Sequence, residues 1–171
     1  MKSVQLWHGT NREGYLIGEG FRPYGTIEGD HVTIGEGYKN NKNFEDDWGI
    51  IKVNVDMADI TGLQGFRAPS DLELEYNTLV SRGYPFPNVY SSIIEMHEAY
   101  GTVKAYGTKY IHTDMDIENG QSGSAVNFSG YTNTTIGIVS GEIEGLLRNR
   151  NFIVRLTNDL CSYLSELRAK Q

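Results

Sequence analysis

Hydrophobic and polar positions along this chain rarely keep the three-and-four spacing of a helix. Short runs rich in Val, Ile, Thr and Tyr recur between turn residues, and twenty glycines are spread through the 171 residues. Apolar runs of that length, bounded by Gly and Asn, predict β-strands. Nine are expected: Ser3 to Trp7, His31 to Ile34, Gly49 to Val55, Leu79 to Tyr84, Gly101 to Tyr106, Lys109 to His112, Ser124 to Asn127, Thr135 to Ser140 and Asn151 to Leu156. Strands at this density predict an all-β barrel or sandwich.

The tail breaks the pattern. Leu160, Tyr163, Leu164 and Leu167 repeat at spacings of three and four, and Thr157 or Asn158 stands ready as an N-cap. A terminal amphipathic helix from about Asp159 to Ala169 follows. No internal repeat or low-complexity linker divides the chain, whose length is that of one ordinary domain.

Composition narrows the partners. The net charge of −7 and pI near 5.1, with no local Lys or Arg cluster, argue against a phosphate-binding surface, so no nucleic-acid partner is expected. No apolar run approaches the roughly 18 residues that span a bilayer, and the opening MKSVQLWHGTN lacks the apolar stretch of a secretory signal. No membrane partner is expected. The single cysteine, Cys161, has no internal disulfide partner.

One segment carries chemistry. Asn119-Gly120-Gln121-Ser122-Gly123-Ser124-Ala125-Val126 sets a serine between glycines at the mouth of an apolar strand. A nucleophilic serine needs this setting: its hydroxyl stands clear at a tight turn, and nearby backbone N–H groups face a developing oxyanion. Gly120 has no side chain to obstruct that approach. The same residues also describe an ordinary Gly/Ser turn.

Followed by Thr134-Thr135-Ile136-Gly137-Ile138-Val139-Ser140-Gly141, this turn resembles the nucleophile turn and specificity strand of trypsin-like serine endopeptidases, in particular the cysteine-poor bacterial branch typified by glutamyl endopeptidases. Asp47-Trp48-Gly49-Ile50-Ile51-Lys52-Val53 resembles the family's aspartate-bearing strand, and other landmarks fall in order from about residue 3 to 168. The resemblance implies a double β-barrel, with residues 1–68 an incomplete first barrel and 69–171 the second barrel with its terminal helix. It implies Ser122 as nucleophile, Asp47 as the acid that orients a histidine, and Gly120 as an oxyanion donor. It also implies a peptide or protein substrate, no cofactor, no metal, and a secreted full-length protein.

The family's histidine lies upstream of the aspartate in a Thr-Ala-x-His setting, which this sequence lacks. His8 and His31 are the upstream histidines; His97 and His112 fall in the expected second barrel. Three readings stay open: a fragment whose other piece carries the histidine, a degenerate protease retained as a binding module, and a working site built around His8. Half a barrel exposes strand edges and apolar surface, so a separate amino-terminal segment or chain completing it is a candidate partner.

For specificity, glutamyl-specific relatives place a histidine where this chain has Val139, which counts against glutamyl preference. Ser140 and Gly141 offer backbone groups to an extended substrate. Asp116, six residues before Ser122, sits where an acidic pocket floor selects Arg or Lys in trypsin, although Asp114, Asp116 and Glu118 also alternate as a solvated face would. A competing resemblance covers about the first 25 residues: Leu6-Trp7-His8-Gly9-Thr10 with Leu16-Ile17-Gly18-Glu19-Gly20-Phe21 looks like the opening motif of ADP-ribosyltransferases, in which a histidine helps hold NAD.

Overall fold

A computed structural model describes residues 4–7, 26–86, 96–142 and 150–169. Ser3 and the stretch around His8 lie outside the described residues. Two antiparallel sheets carry the fold. The first has strand order β1 (Val4–Trp7), β2 (Thr26–Ile34), β3 (Gly49–Val53). The second has seven strands in the order β6-β5-β9-β11-β12-β8-β7. These are β5 (Leu79–Gly83), β6 (His97–Gly101), β7 (Val103–Tyr106), β8 (Tyr110–Thr113), β9 (Ala125–Phe128), β11 (Gly137–Glu142) and β12 (Asn151–Arg155). A short parallel pair, β4 (Gly65–Phe66) with β10 (Thr134–Thr135), bridges the segment between the sheets to the second one.

The order of the second sheet forces it to curl. Its two end strands, β6 and β7, follow each other in the chain with only Thr102 between them. A sheet whose extreme strands share a corner closes on itself. At the corner Asp114 Oδ1 accepts from Thr102 N at 2.6 Å and the Thr102 carbonyl accepts from Thr113 Oγ1 at 3.0 Å. Gly101 is required there, because a Cβ would meet the backbone nitrogen of Met115 at 2.5 Å.

Inward alternation fills the closed barrel. Leu79, Ile111, Val126, Phe128, Ile136, Val139 and Ile153 are each at most 2 % exposed. Truncating any one of them costs about 2–5 kcal/mol. Among the described residues the first sheet buries Ile27 but leaves Val32, Ile34 and Ile51 42, 47 and 37 % exposed. Val32 and Ile51 pair directly across β2 and β3, so these apolar side chains share one face.

Several expected boundaries shift. The run Gly101 to Tyr106 is two strands broken at Thr102, and Thr135 to Ser140 is divided between β10 and β11. The terminal helix, α4 (Asn158–Ala169), begins as expected, with Thr157 Oγ1 accepting from Leu160 N. Three short helices are additional: α1 (Glu36–Asn41), α2 (Ala58–Thr61) and α3 (Asp71–Tyr76). The third has a readable start, a capping box between Ser70 and Glu73.

Arg67 reaches the same glutamate with both terminal nitrogens, at 2.9 and 2.6 Å, and Ser70 N donates to it at 2.9 Å. The guanidinium, then the Ser70 amide, pulls the Glu73 carboxyl down from 4.5 to about 2. A depressed folded-state value stabilises above the unfolded value and is lost as pH falls through the folded one. Urea denaturation should therefore show this contribution intact above pH 4.5 and fading toward pH 2. Both side chains are about a third exposed, which limits it to roughly 0.5–1 kcal/mol. In Glu73→Gln the stability deficit relative to wild type should shrink over that same interval.

Candidate functional site

The serine turn leads from the closed end of the barrel into β9, and its shape is set by two left-handed glycines, Gly120 at φ +100° and Gly123 at φ +87°. Non-glycine residues rarely adopt such angles. At Gly120 a Cβ would also strike Phe86 N at 2.5 Å and Tyr84 O at 2.9 Å. Phe86 N donates to Asn119 O at 2.7 Å, Gly123 N to Val139 O at 2.7 Å and Ser124 N to Gln121 O at 3.0 Å, which fixes the turn on both sides. Gln121, 2 % exposed, is turned inward, where its Oε1 accepts from Glu118 N at 2.7 Å. Alternation then leaves Ser122 outward and exposed. Among the described residues no group accepts from the backbone N–H of Gly120 or of Ser122.

Ser122 and Asp47 are brought together through a third residue. Ser122 Oγ donates to the Ser140 carbonyl at 3.2 Å, and Ser140 Oγ donates to Asp47 Oδ2 at 2.7 Å. Ser140 occupies this position because β11 is irregular there: Val139 pairs with Ile153 and Gly141 with Phe152, which leaves Ser140 as the extra residue of a bulge. A bulge re-aims a side chain that regular alternation would send elsewhere.

Asp47 is held against the second barrel by its neighbours in sequence. Asp46 Oδ1 pairs with Lys109 Nζ at 2.8 Å. Phe44 lies edge-on to Phe152 of β12, ring centres 6.3 Å apart, and Trp48 to Tyr163 of α4 at 6.0 Å. Gly35 lets the loop close, since a Cβ there would meet Asp46 O at 2.2 Å. The carboxylate thus sits at the junction of the two sheets, positioned from both.

The other expected site residues divide. Gly141 is half-buried beside Ser140. Val139 does not face the site: its side chain is 2 % exposed in the core, and its N–H and C=O are taken by Ser124 and Gly123. Two residues from the corner, Asp116 is exposed on the wall of a separate recess. Asp114, by contrast, is engaged by Lys104 at 2.7 Å and by Thr102, and both lower its pKa, Lys104 the more. His31 and His97 are exposed on β2 and β6. His112 lies 4.7 Å from the Tyr110 ring and 5.6 Å from that of Phe152, and burial, then Arg150, pushes its pKa down. Among the described residues no histidine is bonded to Ser122 or Asp47, and no group of His, Cys, Asp and Glu has the arrangement to hold a metal ion. His8 lies outside the described residues.

No protein-family model matches the chain, and no curated protein matches it in sequence. Solved structures do. Glutamyl endopeptidase in complex with MPD superposes at TM-score 0.81 and 18% identity, over 98% of this chain and 72% of that one. Protease Anisep from Arthrobacter nicotinovorans matches at TM-score 0.64 and 16% identity, over 84% and 67%. A scabies mite inactivated protease paralogue matches at TM-score 0.61 and 9% identity, over 88% and 72%. The fold is that of the trypsin-like serine proteases: a double β-barrel with the second barrel closed and the first incomplete among the described residues.

The turn itself is testable. Gly120→Ala combines a disfavoured φ with an overlap against the Tyr84–Phe86 backbone. It should lower the unfolding free energy by about 1–3 kcal/mol in urea titration. Gly130→Ala, where a Cβ meets nothing within 4 Å, should leave it nearly unchanged.

Proposed function

We propose that this chain is a serine-endopeptidase-like protein in which Ser122 is the nucleophile for acyl transfer. The observation that carries the reading is the linked series Ser122, Ser140, Asp47, gathered from the serine turn, the β11 bulge and the loop of the first sheet. In the reaction, Ser122 Oγ adds to a scissile peptide carbonyl while its proton passes to a base. The tetrahedral oxyanion faces the N–H groups of Gly120 and Ser122. The leaving amine takes the proton from the base, and water then releases the acyl group. Ser140 and Gly141 offer backbone groups to an extended substrate.

Asp47 is the acid that orients the base and stabilises its protonated form, with Ser140 Oγ steadying the carboxylate. The base itself comes from a histidine on a segment or chain that completes the first barrel. Support for such a segment is the shared apolar face of Val32, Ile34 and Ile51, exposed by 37 to 47 %. Where that histidine is absent the serine is weakly nucleophilic, and only the catalysis of the oxyanion donors remains, about 10³–10⁴ over water.

A second reading is a non-catalytic binding module on the protease fold. It is favoured by the Ser122 hydroxyl donating to the Ser140 carbonyl, not to a base, and by the likeness to a protein described as an inactivated protease paralogue.

Labelling by a fluorophosphonate, read by intact mass and peptide mapping, separates the two. Slow modification at Ser122 is expected, absent in Ser122→Ala, accelerated by added imidazole, and accelerated less in Asp47→Asn. Modification elsewhere, or a rate at Ser122 indifferent to both imidazole and Asp47, would establish the binding module instead.

A further inference from the structure

On the outer face of the second barrel, a cleft of about 430 Å³ lies between the 61–64 segment, strands β5 and β9, and the turn at Thr132 and Asn133. Strand pairing fixes what its floor presents. Val80 and Asn127 are direct partners across β5 and β9, and Leu79 and Phe128, next to them in each strand, belong to the core. Asn127 and Arg82 therefore share the opposite face, as diagonal neighbours that one small ligand can reach together. Asn127 is only 4 % exposed, and its Nδ2 is buried with no hydrogen-bond partner. A buried donor left unpaired is costly, and an acceptor oxygen from a ligand recovers that cost.

The surroundings of this donor select its acceptor. No Asp or Glu is among the described residues lining the cleft, and its one charged residue is Arg82. Glu98, opposite Arg82 on β6, pairs with one guanidinium nitrogen. Strand order puts β6 and β9 on opposite sides of β5, so that ion pair steadies the guanidinium from the side away from β9 and leaves further N–H donors. At the rim Asn133 Oδ1 accepts from Thr134 Oγ1 at 3.3 Å, which leaves its Nδ2 as the donor. Leu63, 74 % exposed, and Ala125 supply an apolar wall. The cleft thus offers amide and guanidinium donors, a single cation and room for a short carbon chain.

We propose that this cleft binds a carboxylate, one oxygen accepting from Asn127 Nδ2 and the other from the Arg82 guanidinium. A planar acceptor with two oxygens matches donors of this kind. Phosphate, with up to two negative charges, calls for a second cation, which the described lining lacks. Ser122 and Asp47 are not in the wall of the cleft, and the assignment holds whichever role Ser122 has. Asn127 is then kept for its ligand although it weakens the fold. A valine there, like Val80 across from it, would leave no donor unpaired.

Binding tests this without reference to bond cleavage. The full chain is titrated at constant ionic strength with succinate, with the peptide acid N-acetyl-trialanine, with the neutral amide of each and with inorganic phosphate, and amide chemical shifts are followed. At least one of the two carboxylates is expected to bind saturably, with shifts clustered at residues 61–64, 82, 127 and 132–133, and roughly tenfold more tightly than its amide. The tighter of the two tells a free acid from a chain terminus as the source. Arg82→Gln should weaken that binding about tenfold. Asn127→Val should weaken it about fivefold and raise the urea midpoint of the ligand-free protein, a gain that a purely structural asparagine would not give. No saturable binding, acid and amide binding alike, phosphate binding more tightly than both carboxylates, or an affinity unaltered in either variant would overturn the assignment.

Discussion

The barrel closes at a single residue. Thr102 separates the two strands that stand at opposite ends of the seven-stranded sheet, and its backbone is gripped from both sides by Asp114 and Thr113. The corner brings the two end strands together and allows side chains from β5, β8, β9, β11 and β12 to meet in one core. It also sets where the serine turn begins, because the segment that grips Thr102 is the one that continues through Met115 and Ile117, both buried, toward Gly120. Position of the turn follows from closure; its shape follows from the positive φ of Gly120 and Gly123.

The acid of the site depends on different forces. Among the described residues the first sheet leaves Val32, Ile34 and Ile51 substantially exposed. Asp47 would be poorly placed if it relied on that sheet. Its loop is instead fastened to the second barrel by an ion pair at Asp46 and by aromatic edges at Phe44 and Trp48. The partners are spread over the β7–β8 turn, β12 and α4, so the terminal helix has a role in the geometry of a carboxylate more than 110 residues before it in sequence. Exposed ion pairs contribute little alone, but an aromatic edge on each side restricts the rotations left to the loop.

Much of this was legible in the sequence, for reasons particular to each element. Gly120-Gln121-Ser122-Gly123 announces its turn because glycine is the residue that tolerates a left-handed backbone. The terminal helix is visible because four apolar residues keep helical spacing. The two-strand reading of Gly101 to Tyr106 was hidden, since a bend at Thr102 is enforced by Asp114 and leaves no breaker in the run. Ser140 shows the same limit at the site. Thr135 to Ser140 reads as one regular strand; pairing is regular through Val139 and turns that residue into the core, and the bulge that follows lends the Ser140 hydroxyl to Asp47. A bulge has no local signature in residue type. The helix after Ser70 did carry one, Ser-Asp-Leu-Glu, but six residues are too few to show an apolar stripe.

Asn151 and Gln121 illustrate how position on the fold turns the same amide into different chemistry. Each uses one end of its carboxamide for the backbone, Gln121 accepting from Glu118 and Asn151 donating to Met115. Gln121 is thereby left with a buried donor under the serine turn, and Asn151 with a buried acceptor on β12. Had either been a leucine of similar volume, the backbone group it satisfies would be stranded. The carboxamide therefore serves the turn and the corner first, and its unused end follows from that constraint.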